Sequence, residues 1–153
     1  SFIHSLLPTP SSMRIGPNND IYYLDSFNPY LLKQNLISGS PSFGVLPGNV
    51  ADLDFDVNLR LHPSYLNIDN NAVYYGLNGN VYKGATSSFT IPTDAELTGL
   101  NLYGMVVNDN TLYACDPNDF SSNGSVHIYD LTDNSLTTSF TVGVLPNNVY
   151  FNN

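Results

Sequence analysis

An all-β fold follows from three observations in this 153-residue sequence. Apolar residues alternate with polar ones in short runs and do not recur at helical spacing. The runs are rich in Val, Ile, Tyr and Phe and are separated by Asn, Asp, Gly and Pro, which favour turns. Four Leu-Pro or Ile-Pro steps, Leu7-Pro8, Leu46-Pro47, Ile91-Pro92 and Leu145-Pro146, place prolines 39, 45 and 54 residues apart. That spacing matches the roughly 40–50 residues of a four-stranded propeller blade. A ring closes only with about four to eight blades. The sequence therefore predicts a portion of a β-propeller, about three four-stranded blades plus terminal strands that complete blades from elsewhere.

The elements are predicted in chain order as follows. Residues 1–8 read as the outer strand of a preceding blade, and 9–47, 48–92 and 93–146 as three blades. Residues 147–153 read as a closing strand, the inner strand of a further blade. Each blade opens on the same pattern of strand, Asn/Asp turn and strand: Met13–Leu24, Tyr65–Gly76 and Gly104–Cys115. Asn and Asp suit such turns because they tolerate left-handed backbone angles and bond their own main chain. Third strands are expected at Tyr30–Leu36, Asn80–Lys83 and Ser125–Leu131, and fourth strands at Ser42–Leu46, Ser87–Ile91 and Leu136–Leu145. Proline cannot donate to a ladder, so each Leu-Pro or Ile-Pro step marks the exit from an outer strand. Gly44–Val50 and Gly143–Val149 agree at six of seven positions across 99 residues, a distance of two blades. Residues 49–62 alternate strictly from Leu53 onward, which is the period of a half-buried strand.

Composition narrows the function classes. Charged residues are 11% of the chain, against a usual figure of about 25%. Neutral polar groups supply solubility instead, and 21 residues are Asn. The net charge of −9, with Arg14, Lys33, Arg60 and Lys83 as the permanent cations, opposes nucleic acid and anionic membrane surfaces. No stretch approaches the roughly 20 apolar residues of a membrane helix. The sequence opens inside a repeat with no leader pattern at Ser1, so the expectation is a start within a longer ring.

The last repeat carries a family likeness. Leu112–Asp130 followed by Ser139–Phe151 resembles the final blade of YncE-like β-propellers. The shared pattern is a strand, Asp-x-x-Asp-Phe, an Asn-Gly turn, a strand ending Tyr-Asp, then Phe-x-x-Gly-x-x-Pro and a closing aromatic strand. Over Ser12–Tyr103 only the blade rhythm is shared. The resemblance implies a seven-bladed propeller of the secreted or surface-anchored type found in many Bacteroidetes. It implies binding or scaffolding at the extracellular face of the envelope or in the periplasm. Some such relatives are lipoproteins that accompany nutrient-uptake barrels of the outer membrane, corrinoid capture included. The chain departs from the family in length, about half of a propeller.

Candidate chemistry is sparse. Asp52, Asp54 and Asp56, with Asn58, form a row on one strand face. They would gather a hard cation such as calcium, although Val57 and Pro63 break the EF-hand pattern. A solvated face or a charge-protected edge accounts for the same row. Asp116, Asn118 and Asp119 precede the Asn123-Gly124 turn, where cation ligation competes with capping of the loop backbone. His4, His62 and His127 lack metal-site spacing. Cys115, the single cysteine, is expected to be a small buried hydrophobe. Tyr22, Tyr23, Tyr74, Tyr75 and Tyr113 recur at equivalent strand positions and are expected to pack between blades. Phe27, Tyr30, Tyr103 and Phe120, on loops, are the expected contacts to a partner or ligand, with Asp116 and Asp119.

No catalytic motif is present, which favours a binding or scaffold protein. The alternative is an enzyme or carbohydrate-binding module on the same scaffold, because propellers host many activities. The end blades are expected to expose apolar faces. Their partner would be the remainder of the propeller, another chain, or further copies of this chain.

Overall fold

The computed structural model describes residues 10–25, 30–35, 37–38, 41–45, 64–87, 92 and 94–152. Within them the chain is all-β apart from one 3₁₀ turn, in three antiparallel sheets. Sheet A holds β1 (Pro10–Ile15), β2 (Asp20–Asp25), β3 (Tyr30–Asn35) and β4 (Pro41–Val45) in sequential order. Sheet B holds β5 (Ser64–Asp69), β6 (Ala72–Leu77) and β7 (Asn80–Ala85). Sheet C holds β8 (Gly104–Asn108), β9 (Thr111–Asp116), β10 (Asn123–Asp130) and β11 (Ser135–Val144). The first strands, β1, β5 and β8, lie side by side, so the sheets fan out from a shared axis.

The turns form where Asn and Asp accept left-handed angles. Asn18 and Asn19 turn β1 into β2, Asn70 turns β5 into β6, and Asp109 and Asn110 turn β8 into β9, all at positive φ. Asn78 and Gly79 join β6 to β7, both at positive φ. A methyl at Gly79 would also meet the carbonyl of Leu100.

Two cores separate the three sheets. Tyr22 and Leu24 of sheet A pack on Leu66, Val73, Tyr75, Leu77 and Tyr82 of sheet B. Tyr74 and Val81, on the opposite face of sheet B, pack on Met105, Val107, Leu112, Ala114 and Leu131 of sheet C. Sheet B is thus buried on both faces, which explains why β6 reads Val-Tyr-Tyr-Gly-Leu without polar alternation. The recurrent tyrosines serve as core: Tyr22, Tyr23, Tyr74 and Tyr75 are buried, and Tyr113 is half-buried on the outward face of sheet C.

The described strands follow the repeat pattern closely. Around β7 the arrangement differs. Ser87 lies in a turn, and residues 88–91 of the expected fourth strand fall outside the described residues. The edge of β7 is met by residues 96–100 instead, through a single bridge between Val81 and Leu97 and a bond from Leu100 N–H to the Gly79 carbonyl. Residues 1–8 and the alternating stretch 49–62 also lie outside the described residues.

Residues 147–152, expected to close a blade whose other strands come from elsewhere, form no ladder among the described residues and lie along sheet C. The Asn147 backbone crosses directly over Gly104, Pro146 sits against Gly124, and the Phe151 ring meets Tyr113 edge to face with centroids 5.1 Å apart. A β-carbon at Gly104 or Gly124 would collide with this crossing, so both glycines are needed for close approach.

Candidate functional site

Polar groups concentrate where adjacent sheets meet. Between sheets A and B, Asp20 pairs with Asn35 and Tyr22 with Lys33 across the β2–β3 ladder. Period-two alternation points all four toward sheet B. The Lys33 ammonium lies 2.7 Å from the Asp20 carboxylate, and the Asn35 amide donates to the same carboxylate at 2.7 Å. Lys33 and the Tyr22 hydroxyl both donate to the Thr86 carbonyl in the turn that follows β7, each at 3.1 Å. Lys33 and then Asn35 hold the Asp20 carboxyl below its ordinary range. Asp20 in turn holds the Lys33 ammonium above its own. Burial pushes the Tyr22 hydroxyl up. The result is a closed polar cap over the first core.

Between sheets B and C the inner strands are tied by side chains of β5. Asn67 donates to the carbonyls of Tyr65 (2.8 Å) and Met105 (3.2 Å) and accepts from the N–H of Val107 (3.2 Å). The Asp69 carboxylate accepts from the N–H groups of Asp109 (3.0 Å) and Asn110 (2.9 Å). Beside these ties opens a cleft of about 450 Å³. Its walls come from Asp69 of β5, from the Asn70–Asn71 turn, from Ala72 and Tyr74 of β6, from Lys83, Gly84 and Ala85 of β7, and from Asn110. The Lys83 ammonium sits 5.6 Å from the centroid of the Tyr74 ring. Lys83 forms no ion pair among the described residues.

At the other end of sheet C, the β9–β10 loop gathers four of the residues expected to contact a partner. Asp116 accepts from the Asn118 N–H and the Asn101 amide, both at 2.7 Å, and faces His127 Nε2 at 3.4 Å. Asp119 accepts from the N–H groups of Ser121 and Ser122 and from the Ser122 hydroxyl. Those donors hold its carboxyl far below the usual carboxylate range. Both acids therefore shape the loop backbone, as Asx turns do. The exposed Phe120 ring meets Tyr103 edge to face at 5.6 Å. Phe27, Asp52, Asp54 and Asp56 lie outside the described residues; Tyr30 opens β3, and its side chain is outside them too. Cys115 is fully buried, and desolvation pushes its thiol up. Among the described residues, no group of three His, Cys, Asp or Glu side chains is placed to hold a metal. The inter-sheet cleft was missed in the sequence. Its signal was the pairing of Tyr22 with Lys33 and of Tyr74 with Lys83 at the same place in consecutive repeats.

No family model and no curated protein matches the chain. Solved structures do. A chain in the structure of U3-55K superposes with a TM-score of 0.64 at 14% identity, over 87% of this chain and 39% of that one. Apo AztD from Citrobacter koseri gives 0.61 at 16% identity, over 95% and 38%. A chain of the nidogen/laminin complex gives 0.57 at 14% identity, over 85% and 49%. The fold is part of a β-propeller. The chain spans 38–49% of the propeller-containing chains it matches. Such neighbours include chains from assemblies, the nidogen/laminin and mitotic checkpoint complexes. Among the described residues no helix is long and apolar enough to cross a membrane.

Proposed function

We propose that this chain is a non-catalytic binding or scaffold segment of a β-propeller, completed by blades that dock on its two outward sheet faces. One observation carries the reading: apolar side chains stand exposed on both faces. On sheet A they are Met13 (54% exposed) and Ile15 (72%); on sheet C it is Phe140 (50%), opposite Val126. The two inner faces of the same stack bury residues of the same kind against a neighbouring sheet. Continuing the stack would cover the outward faces in the same way. The covering blades come from the remainder of the same protein, another chain, or further copies.

The finer reading rests on the resemblance of Leu112–Phe151 to YncE-like propellers. On that reading we propose a protein of the extracellular face of the envelope or the periplasm, in a nutrient-capture assembly of the Bacteroidetes type. A calcium ion at Asp52, Asp54 and Asp56 is compatible with that setting. Catalysis is not part of the proposal, because the acids that converge at the β9–β10 loop already serve loop backbone groups. The test is the mass of the native particle in solution, with identification of any chain that co-purifies. A particle larger than the 16.8 kDa of this chain alone is expected, through a longer chain, a partner or further copies; a stable 16.8 kDa monomer with both outward faces in water would overturn the reading.

A further inference from the structure

The two inter-sheet seams follow one plan with one difference. In sheet A, Asp20 pairs with Asn35 and, two residues along, Tyr22 pairs with Lys33. In sheet B, Ala72 pairs with Ala85 and, two residues along, Tyr74 pairs with Lys83. Both lysines stand 5.6 Å from the ring of their tyrosine. The plan thus puts a Tyr–Lys pair at each seam, but the carboxylate and amide that complete the first are two methyl groups in the second. The cleft of about 450 Å³ lies at that place. Its volume falls within the roughly 300–1,000 Å³ of small-molecule sites.

We propose that this cleft binds a small organic carboxylate, whose carboxyl group takes the position beside Lys83 that the Asp20 carboxylate takes beside Lys33. A charge-assisted hydrogen bond of this kind is about twice as strong as a neutral one. Asp69 lines the same cleft and keeps its charge, but its oxygens are turned to the Asp109 N–H, the Asn110 N–H and the Asn70 amide, so the ligand carboxyl is placed at Lys83 and not beside Asp69. The side chains of Asn71 and Asn110 at the walls offer donors and acceptors together, which suit hydroxyl groups. The ligand class is therefore a carboxylate on a hydroxylated body, a sugar acid. This site is separate from the outward faces, so it stands or falls independently of what covers them.

The experiment titrates D-glucuronate and D-glucose into the native particle by calorimetry and ligand-observed NMR. Glucuronate is expected to bind at millimolar or lower concentration, with glucose about tenfold weaker or undetectable. Lys83→Gln is expected to weaken glucuronate by about tenfold or more. Ala72→Asp rebuilds the internal carboxylate of the first seam; it is expected to keep a cooperative unfolding transition and to abolish binding. Glucose binding as tight as glucuronate, glucuronate binding that both variants leave unchanged, or no glucuronate binding at millimolar concentration would each overturn the proposal.

Discussion

The side-chain oxygen of Asn67 accepts the N–H of Val107 at 3.2 Å, joining the innermost strands of two sheets that share no backbone ladder. The Asn67 amide nitrogen serves the carbonyls of Tyr65 and Met105. Tyr65 has positive φ, and the β5–β6 register is irregular between Ser64 and Asn67. One buried amide thus satisfies both a bulge and a neighbouring strand. Asn67→Ala leaves those backbone groups without their partner. It should cost about 2–3 kcal/mol, measured by urea unfolding.

Tyr75 presents the opposite case. Its ring is fully buried and stacked on Tyr82 at 5.3 Å, but its hydroxyl has no hydrogen-bond partner among the described residues. Burial pushes that hydroxyl far above the ordinary phenol range. Tyr75→Phe keeps the packing and removes the unsatisfied group. The variant should be about 1 kcal/mol more stable than the parent, and a loss in the same urea experiment would contradict the assignment.

The Asp20–Lys33 pair sets a pH window. The folded Asp20 carboxyl titrates below its ordinary value of 3.8, chiefly because of Lys33. Its stabilisation is present above that value and is lost as pH falls through the lower folded one. The folded Lys33 ammonium titrates above its ordinary 10.5, chiefly because of Asp20. Its contribution is complete below 10.5 and is lost as pH rises through the folded value. Asp20→Asn should therefore cost about 2 kcal/mol, constant across roughly pH 5–9, with the gap to the parent closing in acid. Unfolding midpoints of both proteins across pH check this.

Gly104 and Gly124 form the seat of the C-terminal crossing. Gly104→Ala drives its methyl group into the Asn147 backbone. The crossing should lift, freeing Phe151 from Tyr113 at a cost of about 1–3 kcal/mol. Loss of the Phe151–Tyr113 ring contact, seen in the NMR shifts of the Tyr113 ring, is the readout. Gly143→Ala is the control, because nothing lies within 4 Å of its new methyl; its effect should stay within about 0.5 kcal/mol.

Cys115 is expected to be silent. It is fully buried in β9 with its thiol pushed up by desolvation. A thiol reagent should label it only at the rate of unfolding, so labelling should accelerate with urea and not with modest alkalinity.

The fold was legible because its signals are local. Alternation and the Asn turns each fix a strand or its turn, Leu145-Pro146 follows the last strand, and the repeat multiplies the signal. The tyrosines were read as core for the same reason. The course of residues 147–152 was not legible, because strand pairing depends on a neighbour and not on the residues alone. The β9–β10 loop was found from its Asx spacing, but the spacing does not say whether the acids face a ligand or their own backbone. The second seam was harder still. Ala72 and Ala85 carry no chemical signal, and their meaning emerges only when the ladder register sets them against Asp20 and Asn35.

The central position of sheet B has a mechanical consequence. Most of the apolar surface that secures each sheet belongs to its neighbour, so cohesion grows seam by seam and not residue by residue. Cutting away sheet A would subtract one seam and leave the other standing. Excising sheet B would abolish both at once. The middle sheet is therefore the keystone of the stack.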